Sequence, residues 1–295
     1  MSDDSKTGKI LKGQNGLYTV EATDGLFQCH ASSKIRKTAD IKLSAGDNVF
    51  FTDNGDGSGF ISEVRERKNA FIRPAVANID MLAIIVSADE PKPVPYTIDK
   101  LSVIAVNAGV DVYIIITKSD IAQPEVLLDI YRKTPFLLSV TNILDKDCVN
   151  EVRERLKGRI TVLTGASGVG KSSLINLLYP ELDTEVGNLS EKIKRGRNTT
   201  RVTELFSLGM QTYIADTPGF GMLDFDRCSE VELKEIVICF PDIVPFTEEC
   251  RYKKCTHTKE EGCAVIQAVK NGLIAESRHE SYIRLYDETK KIPQY

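Results

Sequence analysis

The sequence has no apolar run long enough to cross a membrane, because a spanning helix needs about 20 consecutive, mostly apolar residues. Its first thirty residues lack the basic start and the apolar stretch of a secretory signal. It also has no internal repeat and no low-complexity segment, which excludes a repeat array. We therefore expect a globular protein of the cytoplasm that has no membrane partner.

Cysteine is too sparse for a small disulfide-stabilised scaffold. The chain has 7 cysteines in 295 residues, and thiols of the cytoplasm stay reduced, so metal ligands or buried thiols are the better interpretation. The hydrophobic fraction of 42% and the charged fraction of 27% are typical of a soluble globular protein. The length suits two or three domains.

A strong net charge is also lacking, since the formal value is −4. That small total does not exclude a nucleic-acid partner, because local clusters matter more than the sum. The excess of acid lies in the middle of the chain, whereas residues 1–70 and 240–295 are balanced. For any single basic cluster, a solvated surface remains an equally good interpretation. The basic clusters are Lys34/Arg36/Lys37, Arg65/Arg67/Lys68, Lys192/Lys194/Arg195/Arg197 and Arg251/Lys253/Lys254.

Residues 8–66 have the pattern of a small β-barrel. Short alternating segments occur at 16–20, 25–29, 47–51 and 59–64, and Asn54-Gly55-Asp56-Gly57 between the last two is a hairpin signal. About five strands in this length suit an OB-fold. OB-folds often bind nucleic acid, although a fold alone does not identify a site.

The pattern changes near residue 72 to strands that alternate with helices, which predicts a parallel, doubly wound sheet. Two further strands are predicted at 203–208 and 211–216, and the chain after about residue 225 is mostly helical. We expect domains at 1–70, 71–225 and 226–295. The strands of the central part are predicted at 81–86, 112–116, 136–140 and 159–163, with helices at 97–108, at 123–132 and from Lys171.

The strongest motif is a phosphate loop, Gly165-Ala166-Ser167-Gly168-Val169-Gly170-Lys171-Ser172. Its glycines let backbone N–H groups turn towards phosphates, and the helix that follows adds the positive end of its dipole. In this motif Lys171 reaches the β- and γ-phosphates, and the Ser172 hydroxyl binds Mg²⁺. An apolar strand before the loop and a helix after it supply the required context.

A second segment, Thr117-Lys118-Ser119-Asp120, resembles the guanine-reading motif NKxD and follows an Ile-rich strand. The Asp120 carboxylate offers two acceptors for the N1–H and 2-amino groups of guanine, and Lys118 is expected along the base. Thr117 stands where the motif usually has Asn. Ser139 resembles, loosely, the last base-contacting loop. The alternative interpretation of Thr117-Lys118-Ser119-Asp120 is an ordinary turn after a strand.

A third segment, Asp216-Thr217-Pro218-Gly219, has the DxxG pattern of GTPases. Asp216 is expected to hold Mg²⁺ and Gly219 to meet the γ-phosphate through its N–H group. Thr200, in the basic stretch before it, is expected to complete the Mg²⁺ shell in the GTP state. Lys171, Ser172, Thr200 and Asp216 are therefore the candidate catalytic residues. Because the guanine segment precedes the phosphate loop, the order of the motifs is that of a circularly permuted GTPase.

Cys250, Cys255, His257 and Cys263 form a compact C-x4-C-x-H-x5-C cluster. Three thiolates and one imidazole make a closed tetrahedral set suited to one structural Zn²⁺. The alternative, four unrelated residues, is disfavoured because three of the seven cysteines fall in so short a segment.

With these residues in hand, the chain resembles the bacterial small-ribosomal-subunit-dependent GTPases (RsgA) over nearly its whole length. The resemblance implies an N-terminal OB-fold β-barrel that binds RNA, a circularly permuted α/β P-loop GTPase domain and a helical C-terminal zinc domain. It implies a monomer that binds GTP or GDP, Mg²⁺ and one Zn²⁺, and that acts late in maturation of the small subunit and its rRNA. Residues from Gly165 to Ser173 then contact the nucleotide.

Two departures from the family pattern concern hydrolysis. The family commonly has His before the Thr-Thr pair, where this chain has Asn198, and Phe220 lies where many GTPases carry a water-positioning Gln. The first hypothesis is therefore a GTPase that the small subunit stimulates. The alternative is a GTP-sensing, RNA-binding module with little turnover. An ATP-dependent phosphoryl transferase is disfavoured by Asp120 and by the lack of an evident acceptor site.

Overall fold

The computed structural model describes residues 5–33, 35, 42–72, 75–142, 144–180, 203–216 and 233–291. These residues divide into two compact units, each made of several chain segments. The first unit takes its described residues from 1–81, 153–163 and 178–222. The second takes them from 82–152, 164–177 and 223–295.

The first unit contains a closed five-stranded barrel, as the alternating N-terminal pattern predicts. The strands follow the order β1-β2-β3-β5-β4, and β1 closes the barrel by pairing with β4. Ile10, Val20 and Phe51 point into an apolar core, because one side of each pleated strand must be buried. The predicted hairpin joins β4 to β5. The barrel strands are β1 (Ser5–Gln14), β2 (Leu17–Ala22), β3 (Gly25–Ala31), β4 (Asn48–Asp53) and β5 (Ser58–Val64).

A short hairpin after the barrel was not predicted from the sequence. It pairs β6 (Ala70–Ile72) with β7 (Ala75–Ala77) in antiparallel register. Asn78, which follows it, donates a hydrogen bond from its amide to the carbonyl oxygen of Gly46 at 2.9 Å. The strands are only three residues long, so they carry too few positions for a periodic signal.

A six-stranded sheet has the order β10-β9-β8-β11-β13-β12. The pairs β10–β9 and β11–β13 are parallel, whereas β12 runs antiparallel to β13. Every residue of β8 is buried, which explains why its sequence is a continuous apolar run. The strands are β8 (Met81–Ser87), β9 (Asp111–Thr117), β10 (Leu137–Val140), β11 (Ile160–Thr164), β12 (Glu204–Ser207) and β13 (Tyr213–Asp216).

Helices alternate with these strands, as the doubly wound pattern predicts. Pro95 opens the first of them, where its fixed φ suits a helix start and its missing N–H costs no hydrogen bond. The predicted helices agree with the structure to within a few residues, but the helix Lys146–Leu156 was not predicted from the sequence. The helices are α1 (Pro95–Asn107), α2 (Glu125–Tyr131), α3 (Lys146–Leu156) and α4 (Lys171–Leu178).

The described part of the C-terminal region is mostly helical, as expected. Two 3₁₀ helices, Ile236–Cys239 and Val244–Glu249, precede α5 (Ala264–Lys270) and α6 (Glu276–Lys290). The cysteine and histidine cluster lies in the connection between the second 3₁₀ helix and α5. Among the helices that the structure describes, none combines the length and the apolar character that crossing a bilayer requires.

A fully buried ion-pair network joins α1 to α6 within the second unit. The Arg278 guanidinium, 0% exposed, donates to Asp99 at 2.8 Å through one terminal nitrogen and to both carboxylate oxygens of Asp242. Tyr131 donates its hydroxyl to the same Asp99 carboxylate at 3.0 Å. Burial acts to lower the pKa of Arg278, but the two aspartates outweigh it and raise that pKa. The Phe240 ring lies 4.6 Å below the guanidinium as a cation–π partner.

Replacing Arg278 by Met should destabilise the protein by about 3–5 kcal/mol, because it leaves two buried carboxylates without a cation. Chemical denaturation followed by circular dichroism measures this change. Arg284→Met on the same helix is the matched control, since Arg284 is 63% exposed and pairs with Glu288 at the surface. That control should cost less than about 1 kcal/mol. Equal denaturation midpoints for the two variants would contradict the assigned role of the network.

Candidate nucleotide site and metal centre

The predicted phosphate loop, residues 165–172, connects the end of β11 to the first turn of α4. Residues 166–168, Ala-Ser-Gly, are exposed, whereas Val169 is 2% exposed and anchors the loop from the inside. Lys171 and Ser172 open α4 and are half-buried, and Ser173 is exposed. The first-turn N–H groups of a helix have no intrahelical partner, so this position suits an anion.

Two glycines of the loop are required for different reasons. Gly165 has a φ of +153°, and a β-carbon on it would lie 2.3 Å from the carbonyl oxygen of Ile85 on β8, so no side chain fits there. Gly170 has room for a β-carbon, which would lie 3.6 Å from the Thr117 hydroxyl, but its φ of +92° is a left-handed conformation that favours glycine. The close approach of the loop to β8 therefore depends on Gly165, and its turn towards α4 depends on Gly170.

Thr117, the last residue of β9, contacts the phosphate loop. Its side chain is 4% exposed, and its hydroxyl oxygen lies within hydrogen-bonding distance of two carbonyl oxygens, those of Val86 and Val169. The distance to Val86 is 3.0 Å. One hydroxyl carries one proton, so Thr117 donates to one of these carbonyls at a time. The contact joins the segment that is predicted to read guanine to the predicted phosphate loop.

The three residues after Thr117 form a turn at the carboxyl end of β9. Lys118 has a left-handed φ of +60° and donates its ammonium group to the Glu90 carbonyl oxygen. Ser119 donates both its N–H, at 3.4 Å, and its hydroxyl, at 3.1 Å, to the carbonyl oxygen of Thr141. Asp120 is exposed. The hydrogen bonds of Ser119 fasten this turn to the loop that follows β10.

Ser139 lies inside β10, and its hydroxyl already has two partners within the fold. It is 6% exposed, accepts a hydrogen bond from the Tyr113 hydroxyl at 2.8 Å and donates to Glu151 at 3.0 Å. Its contact with a base stays a prediction. A contact made by the backbone after β10 would leave both hydrogen bonds in place.

Asp216 is the last residue of β13. It pairs in parallel register with Leu163 on β11, so these two strands end at the same edge of the sheet, the edge from which the phosphate loop starts. Ligands of such sheets bind at the carboxyl ends of the strands. Thr200 and Gly219, like Asn198 and Phe220, lie outside the described residues.

The structure brings the four predicted metal ligands together. One donor atom from each of Cys250, Cys255, His257 and Cys263 lies within 4.8 Å of the others. The Nδ1 atom of His257 is 3.4 Å from the sulfur of Cys250 and 3.6 Å from that of Cys263. The two sulfurs, of Cys250 and Cys263, are 3.9 Å apart.

These separations fit a tetrahedral zinc site. Zn–S bonds of about 2.3 Å at tetrahedral angles place two sulfurs about 3.8 Å apart, and the shorter Zn–N bond brings sulfur and nitrogen slightly closer. Three sulfurs and one imidazole nitrogen are also the donors that zinc prefers over hard cations. Geometry and donor chemistry therefore agree with the prediction from spacing.

Groups around the cluster hold the loop of residues 250–263 in shape, and we call this segment the metal loop after its predicted ligand. On α6, His279 contacts the His257 carbonyl oxygen through Nε2 at 2.7 Å, and Tyr282 donates to the Thr256 carbonyl oxygen at 2.7 Å. The Glu260 carboxylate accepts backbone N–H groups of three residues. Burial acts to raise the pKa of Glu260, but hydrogen bonds, those of Thr256 foremost, outweigh it and lower that pKa to about 2. The carboxylate therefore stays ionised.

The sequence did not reveal these supporting residues. A histidine and a tyrosine three positions apart on a helix are compatible with many surfaces, and nothing in their spacing points to the loop of Cys255 and His257. Buried Arg278 was missed for the same reason, because its partners Asp99 and Asp242 are distant along the chain. Such contacts are set by tertiary packing and have no local pattern.

Comparison with known proteins agrees with this geometry. Residues 7–61 match the family model of the RsgA N-terminal domain, and residues 64–226 match that of the RsgA GTPase. The small ribosomal subunit biogenesis GTPase RsgA of Alkaliphilus metalliredigens is 36% identical over 293 residues, which is 98% of this chain and 99% of that protein. The RsgA of Ruminiclostridium cellulolyticum is 37% identical and covers 98% and 95%.

Two solved structures have the same fold. YjeQ from Thermotoga maritima superposes with a TM-score of 0.82 at 30% identity and covers 98% of this chain and 100% of its own. YloQ, described as a circularly permuted GTPase, superposes with a TM-score of 0.80 at 27% identity and covers 99% and 98%. The chain therefore belongs to the RsgA family of circularly permuted GTPases.

Proposed function

We propose that this GTPase acts in late maturation of the small ribosomal subunit, and that the subunit stimulates its hydrolysis of GTP to GDP and phosphate. The observation that carries the nucleotide part is the contact between the Thr117 hydroxyl and the Val169 carbonyl oxygen, which joins the predicted guanine-reading segment to the predicted phosphate loop. The ribosomal part is supported by relatives that are named for this role and that match along nearly their whole length.

In this proposal the phosphate groups lie over the loop that opens α4. The backbone of Gly165, Ala166, Ser167, Gly168, Val169 and Gly170 supplies N–H donors, and Ser173 lies at the rim. Lys171 neutralises charge on the β- and γ-phosphates, and the Ser172 hydroxyl is a ligand for Mg²⁺, the usual metal of GTPases. Asp216 and Thr200 complete the metal shell, and Gly219 meets the γ-phosphate.

The base lies at the turn after β9. Asp120 is exposed and ready to accept hydrogen bonds from guanine, while Lys118 and Thr117 support the base and the loop. Ser119 fastens this turn to the loop after β10, the neighbour of Ser139. The turn therefore presents Asp120, and the two loops keep their relative position through the carbonyl oxygen of Thr141.

The metal cluster is proposed to hold one structural Zn²⁺. The four donors leave no open position for substrate, so the ion supplies folding energy rather than catalysis. Its loop extends into residues 251–254, Arg-Tyr-Lys-Lys, whose four side chains are all exposed. The Arg251 guanidinium lies 5.5 Å from the centre of the Tyr252 ring. Three cations beside an aromatic ring suit RNA, through phosphate contacts and stacking on a base.

The small ribosomal subunit and its rRNA are thus the proposed partners, with the barrel and the 251–254 loop as RNA-binding surfaces. We further propose that the chain works as a monomer, in the cytoplasm where bacterial subunits mature. The domain limits 1–70, 71–225 and 226–295 remain our proposed division. The family models support the first two, because they meet between residues 61 and 64 and the second ends at 226.

Asp120→Asn should weaken GTP binding about 100-fold, because charge-assisted hydrogen bonds contribute about 1.5–3 kcal/mol each. The same change should improve binding of xanthosine triphosphate, whose 2-oxo group suits an amide donor. Equilibrium binding of GTP, xanthosine triphosphate and ATP measures this. The matched control is Asp129→Asn on the exposed face of α2, which should bind GTP normally. Equal affinity of the parent protein for ATP and GTP would refute the assignment.

Cys255→Ser should reduce the zinc content from one ion per chain to almost none. Since thiolate ligation is coupled to folding, amide hydrogen exchange in residues 250–263 should also become faster, while GTP binding is retained. Elemental analysis and exchange measurements test both parts. Cys148→Ser, on α3 and away from the cluster, is the control and should keep its zinc. Protein purified without chelators and found free of zinc would disprove the site.

Purified small subunits should raise GTP turnover by about 10³–10⁵, the range reached when a GTPase receives its missing catalytic group in trans. The chain alone should be slow, since Phe220 replaces the water-positioning Gln and Asn198 the family's His. GTP turnover is measured for the protein alone, with small subunits and with large subunits, and each measurement is repeated at increasing salt concentration. Stimulation should fall steeply with salt if phosphate contacts dominate. A rate that small subunits leave unchanged, or that both subunits raise equally, would overturn the proposal.

A further inference from the structure

The N-terminal barrel and the strand that ends at Asp216 belong to the same compact unit. Tyr213, the first residue of β13, donates its hydroxyl to the carboxylate of Glu21 on β2. Lys9 on β1 pairs directly opposite Glu21 in the barrel ladder, and its ammonium group lies 5.5 Å from the centre of the Tyr213 ring. The tyrosine therefore contacts both members of one cross-strand pair of the barrel.

This contact is partly buried and has a defined direction. Tyr213 is 6% exposed, and burial, followed by the hydrogen bond to Glu21, raises the pKa of its hydroxyl. The hydroxyl thus remains protonated and donates. Lys9 is held over the ring by a second hydrogen bond, from its ammonium group to the side-chain oxygen of Asn48 at 2.8 Å. The barrel side of the contact is therefore fixed by three of its strands.

A second contact joins the barrel to the neighbouring strand. Lys12 on β1 pairs with Glu204 on β12 at 3.0 Å, and Glu204 faces Asp216 in the β12–β13 ladder. Both partners are well exposed, at 49% and 38% of their side chains, so solvent screening leaves this pair weak. Of the two contacts, the one made by Tyr213 is the stronger anchor.

Strand β13 is too short to absorb a displacement along its length. It has four residues, from Tyr213 to Asp216, and it hydrogen-bonds on one side to β11 and on the other to β12. A shift imposed at Tyr213 must therefore move Asp216 as well, or break the ladder. The backbone of Tyr213 is also held from β11's side, by its N–H donated to the carbonyl oxygen of Arg159 at 2.9 Å.

We propose that the Tyr213–Glu21 hydrogen bond is a positioning contact through which RNA bound to the barrel sets the position of Asp216 and hence the rate of GTP hydrolysis. This inference rests on the proposed function, which makes the small subunit the activator and Asp216 a ligand of the metal shell. Reciprocity applies to binding free energies, so if this contact couples RNA binding to nucleotide binding, exchanging the bound nucleotide must also change the barrel.

GTP turnover with and without small subunits tests whether the Tyr213–Glu21 hydrogen bond affects the rate of hydrolysis. Tyr213→Phe should keep the parent's rate of GTP turnover without subunits. The factor by which small subunits raise that rate should be about tenfold smaller than in the parent, which is within the usual range of coupling between sites. Glu21→Gln keeps an acceptor for the hydroxyl and should behave like the parent protein. Glu21→Ala should match Tyr213→Phe, and the double variant should be no worse than either single one.

Tyr131→Phe is the matched control. It also removes a hydrogen bond from a tyrosine hydroxyl to a carboxylate, but in the other compact unit, and it should be stimulated normally. Tyr213→Phe that lowers both rates equally, or that is stimulated like the parent, would eliminate the positioning role. A loss of stimulation in Tyr131→Phe of the same size would do so too.

Hydrogen exchange separates this inference from the proposed function, because it needs no ribosome. In the parent protein, replacing GDP by a non-hydrolysable GTP analogue should change the exchange of amides in β1 and β2. In Tyr213→Phe that response should vanish from the barrel while residues 165–172 still respond. If the amides of β1 and β2 in the parent protein exchange at the same rates with GDP and with the GTP analogue, the inference fails, whatever effect subunits have on turnover. If the barrel responds through Tyr213 but small subunits do not stimulate, the coupling contact between barrel and nucleotide stands, and the proposed activation by the subunit fails.

Discussion

The geometry of the nucleotide site depends on one buried hydroxyl, that of Thr117. It lies against the carbonyl oxygens of Val86 and Val169, so the ends of two strands and the phosphate loop meet around a single side chain. Threonine is shorter than the asparagine usual at this position, and the loop reaches it through the carbonyl oxygen of Val169. Since the contact is spatial, the order of the motifs along the chain is free, and a circular permutation preserves it.

The C-terminal helix α6 connects the metal loop to the rest of its unit by another set of buried polar contacts. His279 and Tyr282 contact carbonyl oxygens of the metal loop, whereas Arg278 reaches Asp99 on α1. A buried guanidinium is tolerated only when its charge and its donors are all matched. Contacts with α1 and with the metal loop therefore fix the position of α6, and α6 in turn positions the metal loop.

Local patterns predicted those parts of the protein that local chemistry determines. Alternation predicted the barrel, apolar runs predicted the buried strands, and the glycines of the phosphate loop and the spacing from Cys250 to Cys263 predicted two sites. Contacts between distant segments were not predictable, among them Tyr213 with Glu21 and Arg278 with Asp99. The sequence around each of these residues contains no pattern that identifies its partner. Ser139 illustrates the converse limit, since a short motif suggested a base contact while the fold gives its hydroxyl two internal partners.

The close approach at Gly165 has a consequence for how this protein can change over evolutionary time. Most tight contacts in a core join two side chains, so a larger residue on one side can be accommodated by a smaller one on the other. Here the opposing atom is the backbone oxygen of Ile85, which every amino acid at that position would carry. No compensating substitution exists, so drift in the two strands must leave this spacing untouched, and position 165 can accept no second residue.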